Sequence, residues 1–179
     1  HINTATINVF SWAKIQPSEN VYDFSYLDKV IDMLSEENYD IVLATSTAAL
    51  PAWMVKKYPE VMSTDYEGRH HTFGGRHNAC PNSLVYQKYA RVLASKLAER
   101  YGRNEHVTCW HINNEYGAEC YCDNCKKAFR VWLQDKYHTL DALNTAWNME
   151  FWGHSLYDWD EIVVPNALSE GIGREKTAF

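Results

Sequence analysis

The chain has 179 residues, 46% of them hydrophobic, which is enough for a packed core, and its formal net charge is −6 with the basic residues scattered. That balance argues against nucleic acid or an anionic membrane surface as the main partner, and no apolar run reaches the roughly 20 residues that span a bilayer. The content of 7 Trp and 12 Tyr suits stacking on the flat C–H faces of sugars, although large rings ordinarily serve the core.

In chain order, "TATINVF" over 4–10 is rich in β-branched residues and reads as a strand. Trp12, in "FSWAKIQP", follows it, as a sugar platform or as core. "DFSYLDKVIDMLSEEN" then places Leu27, Val30, Ile31 and Leu34 at helical spacing, with Ser25 as the cap and Asp28 three residues on. "YDIVLAT" over 39–45 is a continuous apolar run, as expected of a parallel strand buried on both faces. A long link from Ser46 to Ser83 carries Trp53, Tyr58, His70, His71, Arg76, His77 and Cys80. The next helix spans Leu84 to Tyr101, with Tyr86, Ala90, Leu93 and Leu97 on one face and Gly102 as its stop. "HVTCWHI" over 106–112 reads as a buried strand, with Cys109 as a small buried hydrophobe. Helical patterns resume at 126–137 and 139–147. "EIVVP" over 161–165 is a further strand candidate, and the tail from Asn166 to Phe179 is weakly patterned.

Strands alternating with helices, without hairpin signals, imply an α/β fold with a parallel sheet. Loops after strands far longer than the usual two to six residues mark the catalytic rim of a β/α barrel. A closed barrel needs eight strands and about 250 residues. Three or four βα units therefore predict either an open, complete sheet or, as the favoured reading, a partial TIM (β/α)8 barrel, about half of one. A start inside a strand and without Met reads as an excerpt, so that residues 1–179 form part of one catalytic domain.

The tract "WHINNEYG" carries the chemistry. A carboxylate at the carboxyl end of a strand is held by rigid backbone and faces the cleft, the placement required for protonating a leaving group. Glu115 is the candidate for that role, unless it is an ordinary solvated carboxylate, and Asn114 before it could bond a sugar hydroxyl. Arg76, in "GGRHNACPNS", offers a fixed fork of donors for hydroxyls or a carboxylate, unless it is an ordinary surface arginine. His70, His71 and His77 lack an acidic partner at metal spacing and read as structural or surface residues. Trp152 is a second candidate sugar platform.

Five cysteines cannot all pair, and three of them lie in "CYCDNC". Cys120, Cys122 and Cys125 are easier to satisfy around one metal than by strain-free bridges, and Cys80 offers a fourth thiol. Four thiolates around Zn2+ leave no open position, so the metal would be structural, binding two rim loops in a reducing, cytoplasmic background.

Taken together, "FSWAKIQPSENVYDFSYLD", "RHNACPNS", "INNEYG", "CYCDNCKKAFRVWLQDKY", "LDALNTAWNMEFW" and "DWDEI" resemble the glycoside hydrolase family 42 β-galactosidases over nearly the whole chain. The resemblance implies a TIM-barrel catalytic domain, retaining hydrolysis of terminal non-reducing β-D-galactosides, and assembly as a homotrimer. It implies Glu115 as acid/base, Asn114, Arg76 and Trp152 as substrate contacts, and Cys80, Cys120, Cys122 and Cys125 as a zinc site. Two departures stand out. Gln16 occupies a position where the family usually has Glu, and nothing matches the family's nucleophile, a Glu on a late barrel strand. Glu150, Glu161 and Glu170 lack its context. The nucleophile is therefore expected outside this chain, and the isolated chain should be inactive. The alternatives are a zinc-stapled α/β module that binds sugars or a protein without turnover, and a barrel glycosidase of another sugar specificity.

Overall fold

The computed structural model of the chain describes residues 2–117 and 119–169. These fall into two units, one from His1–Ser63 and His70–Glu119, the other from Thr64–Arg69 and Cys120–Phe179.

The first unit is built on a three-stranded parallel sheet, β1 (Thr4–Ile7), β2 (Asp40–Ala44) and β3 (Val107–His111), in that order. β2 is central and apolar for that reason, with Ile41, Leu43 and Ala44 fully buried. β1 is shorter than predicted because Asn8 turns left-handed (φ 65°) and its side-chain amide donates to the Ala44 carbonyl at 2.8 Å. Between β1 and β2 lie a one-turn helix, α1 (Trp12–Ile15), and α2 (Ser25–Glu36). Between β2 and β3 run α3 (Ala52–Lys57), a 3-10 turn (Pro59–Val61) and α4 (Leu84–Tyr101). The link of 46–83 thus contains a helix of its own, opened by the extended Pro51.

Two expectations are corrected and a third is borne out with a different cause. Ser25 is the first residue of α2 rather than its cap. Its N–H is taken by the Asp23 carboxylate at 2.9 Å, while Asp28 is engaged by the Arg100 guanidinium and the Tyr101 hydroxyl. β3 is not uniformly buried. It pairs on one side only among the described residues, and its register against β2 shifts between Ile41 and Val42, leaving Thr108 and Cys109 exposed. Gly102 does end α4, but in right-handed backbone. A side chain there would come within 2.5 Å of the Ala98 carbonyl oxygen, so close approach is what the position requires.

Trp12, Ile15, Leu27, Ile31, Ile41, Leu43, Met54, Leu93 and Leu97 form the core of this unit. Trp12 is fully buried, its indole N–H donating to the Gln16 side-chain oxygen at 2.8 Å, which settles it as core rather than a sugar platform. On α4 the innermost row is Tyr89, Leu93, Leu97 and Tyr101, with Tyr86 and Ala90 flanking it.

The second unit holds α5 (Asp123–Tyr137) and α6 (Leu140–Trp147), which bury Leu133 and Leu143 against Ile162. Thr139 caps α6, its hydroxyl accepting the Ala142 N–H at 3.2 Å. The segment 161–165 is not a strand. Ile162 packs singly, and its carbonyl accepts from the Arg130 guanidinium (Nε at 3.1 Å, Nη2 at 3.0 Å) instead of a ladder partner. Among the described residues no helix is long and apolar enough to cross a membrane.

Candidate active site

In a parallel sheet all carboxyl ends share one edge, and here each strand leaves that edge through a left-handed residue. Asn8 follows β1 (φ 65°), Ser46 follows β2 (φ 62°), and Asn113 follows β3 (φ 58°). The Ser46 hydroxyl donates to the Asn8 carbonyl and accepts the Ser11 N–H at 3.2 Å, joining the first two exits. Left-handed backbone is costly for residues other than glycine, and such outliers gather where structure over-determines them. Glu115 is a further one (φ 44°).

Glu115 lines a cleft of about 580 Å³, together with Thr45, Thr47, His77, Tyr86 and Asn113 among others, and among the described residues it is the one carboxylate in that lining. Arg76 Nη2 lies 3.0 Å from Glu115 Oε2, both side chains being about half exposed or more (48% and 66%). The guanidinium also sits over the Phe10 ring, 5.3 Å from its centroid. Asn114 Nδ2 is 3.3 Å from His77 Nε2. The His77 N–H donates to the Ala48 carbonyl at 3.0 Å, and this bond and the left-handed backbone of His77 (φ 56°) together fix the turn that presents Arg76. Arg76, Asn114 and Glu115 are thus brought to one place, and His77 joins them as a structural neighbour. His70 and His71 lie elsewhere, beside Val55, Pro59, Met62 and Phe73.

Two residues escape sequence reasoning. Thr45 and Thr47 are buried (4% and 7% exposed) directly behind Asn113. Asn113 N–H donates to Thr45 Oγ1 at 2.9 Å, the two threonine hydroxyls are 3.0 Å apart, and Thr47 Oγ1 donates to Asn113 Oδ1 at 3.2 Å. The only trace in the sequence is the run of hydroxyls in "TST" after an apolar strand, which looks like the start of an ordinary loop.

In the second unit Cys122 is the N-cap of α5 and Cys125 lies in its first turn. The thiols of Cys120, Cys122 and Cys125 lie within 4.8 Å of one another. Sulfurs around a tetrahedral Zn2+ are about 3.8 Å apart for Zn–S bonds of about 2.3 Å, so the group fits after a small contraction. The Thr64 N–H donates to Cys120 Sγ at 3.4 Å. Cys80 belongs to the first unit and is fully buried. Trp152, also in the second unit, is left-handed (φ 67°), 79% exposed and edge-on to Phe151.

The family model Glyco_hydro_42, described as Beta-galactosidase, matches residues 1–177. Beta-galactosidase LacZ of Lactobacillus acidophilus is 59% identical over 174 residues, which are 97% of this chain and 26% of that protein. The crystal structure of β-galactosidase from Bacillus circulans sp. alkalophilus superposes with a TM-score of 0.89 at 63% identity, over 95% of this chain and 25% of that one. The β-galactosidase of Rahnella sp. R3 gives a TM-score of 0.91 at 41% identity, again over 95% of this chain and 25% of that one. The chain therefore spans about a quarter of the length of these relatives. With the family match covering nearly every residue, the chain belongs to the glycoside hydrolase family 42 β-galactosidases.

Proposed function

We propose that the complete protein hydrolyses terminal non-reducing β-D-galactosides with retention, and that this chain supplies its proton donor, Glu115. The observation that carries the reading is Glu115 beyond the carboxyl end of β3, the one carboxylate among the described residues that lines its cleft. The three βα units are part of a (β/α)8 barrel whose catalytic rim is the edge where Asn8, Ser46 and Asn113 turn.

In the first step Glu115 gives its proton to the glycosidic oxygen as a second carboxylate attacks the anomeric carbon. In the second, water attacks the anomeric carbon as Glu115 takes its proton, which breaks the bond to the second carboxylate and releases galactose. The retaining route needs the two carboxyls about 5–5.5 Å apart. Among the described residues Glu115 is the one carboxylate lining its cleft. The attacking carboxylate is assigned, as the family resemblance implies, to a late barrel strand outside this chain. Arg76 and Asn114 bond sugar hydroxyls, and the exposed ring of Trp152 offers a face to the sugar. Cys80, Cys120, Cys122 and Cys125 would hold Zn2+, which would serve as a closed structural centre bracing the loops. Four thiols suit the reducing cytoplasm.

The test is Glu115→Ala in the complete enzyme. Hydrolysis of lactose, whose leaving group needs a proton, should collapse, and added azide should restore turnover of activated aryl galactosides as the β-galactosyl azide. Near-normal activity on lactose would sink the assignment.

A further inference from the structure

We propose that Thr45 and Thr47 are positioning residues for the proton donor, locking the Asn113 turn that aims Glu115 through a closed ring of hydrogen bonds. The inference rests on the reading of Glu115 as acid/base.

The ring follows from counting donors. Asn113 Oδ1 can only accept, so the Thr47 proton is committed to it at 3.2 Å. Thr45 Oγ1 accepts the Asn113 N–H at 2.9 Å, which leaves its own proton available. Across the 3.0 Å between the hydroxyls, Thr45 must then be the donor and Thr47 the acceptor. The circuit runs Asn113 N–H to Thr45, Thr45 to Thr47, and Thr47 back to the Asn113 side chain. Each hydroxyl gives once and receives once, and such chains polarise one another favourably.

Its anchorage is rigid. Both threonines are buried, follow the central strand, and the Thr47 carbonyl accepts from the Tyr86 hydroxyl at 3.1 Å. Asn113 is left-handed (φ 58°) and Glu115 is left-handed two residues later (φ 44°). Backbone of this kind persists only where its surroundings over-determine it, and the ring ties both the N–H and the side chain of Asn113. Loss of either hydroxyl removes two of the three bonds. The carboxyl of Glu115 then loses its fixed line of approach to the leaving oxygen, although neither threonine bonds to it.

The experiment uses the complete enzyme. Thr47→Val keeps the shape and removes the hydroxyl, whereas Thr47→Ser keeps the hydroxyl. For Thr47→Val, kcat/KM on lactose should fall about tenfold, the scale of a misplaced catalytic group, and on 2,4-dinitrophenyl β-galactoside less than about twofold. Thr47→Ser should restore the lactose rate. In a Glu115→Ala background Thr47→Val should add nothing. Equal losses on both substrates, or additive losses in that background, would overturn the proposal. If the valine variant does not fold, Thr47→Ala against Thr47→Ser carries the same comparison. Normal lactose hydrolysis by Glu115→Ala alone would instead remove the reading beneath it, and the two failures are separately visible.

Discussion

Replacing Arg76 by Ala separates a functional arginine from a structural one. Its ion pair with Glu115 joins side chains that are 48% and 66% exposed. At that exposure solvent screens the charges, and such a pair contributes about 0–1 kcal/mol to stability. The Phe10 ring at 5.3 Å adds, by the same discount, about 0.5–1 kcal/mol. Thermal unfolding of Arg76→Ala in the complete enzyme should therefore fall by less than about 4 °C. Activity should respond on another scale. A guanidinium hydrogen bond to a sugar hydroxyl is charge-assisted, and losing one costs about 1.5–3 kcal/mol. That corresponds to a fall in kcat/KM of roughly tenfold to 150-fold. Arg76→Lys should recover only part of it, because a single ammonium cannot replace the planar fork. Steady-state rates on an aryl β-galactoside, beside a melting curve, make the comparison. Unchanged kcat/KM, or a melting drop well beyond that limit that accounts for the lost activity, would refute the reasoning.

Three further outcomes are expected. Elemental analysis of the dialysed complete enzyme should find about one zinc per chain, lost in Cys120→Ser together with thermal stability; a metal-free and equally stable wild type would remove the structural assignment. Glu19 is held at a pKa of about 2, first by Lys57, then by the hydroxyls of Tyr58 and Tyr89. This folded value lies below the ordinary carboxylate value of 4.5, so the contribution is complete above that pH and is lost as pH falls toward 2. Urea titrations from about pH 6 to about pH 3 should show wild type losing more stability than Glu19→Gln, and parallel losses would count against it. Gln16→Leu should destabilise by about 1–3 kcal/mol in urea, because the buried Trp12 indole N–H loses its acceptor. A neutral result would mean that the indole finds another partner.

Sequence and structure agree where one physical cause dominates. α4 was legible because its apolar row repeats over several turns and Gly102 stops it, and the structure adds the Ser83 cap, its Oγ accepting the Tyr86 N–H at 3.3 Å. β2 was legible because a central parallel strand has no wet face. The failures share the opposite character. α1 has four residues and α3 has six, too short for a helical period to show. The exposure of Cys109 accompanies an extra residue, Thr108, that β3 carries against β2, and the fate of 161–165 depends on one distant arginine taking the Ile162 carbonyl. Neither shows in an apolar pattern.

The site divides in the same way. Glu115, Arg76 and the clustered cysteines announce themselves by residue type, because charge and thiol chemistry have few ordinary uses at a strand end or in a tight cluster. Thr45 and Thr47 do not, since a hydroxyl after a strand is ordinary and becomes specific only when Asn113 closes the ring behind it. The residue types gathered at this cleft were therefore readable in one dimension, and the hydrogen-bond ring behind Asn113 was not. On the proposed reading, a substitution that respects every motif residue but replaces Thr47 should still misdirect the proton and lower lactose hydrolysis by the complete enzyme.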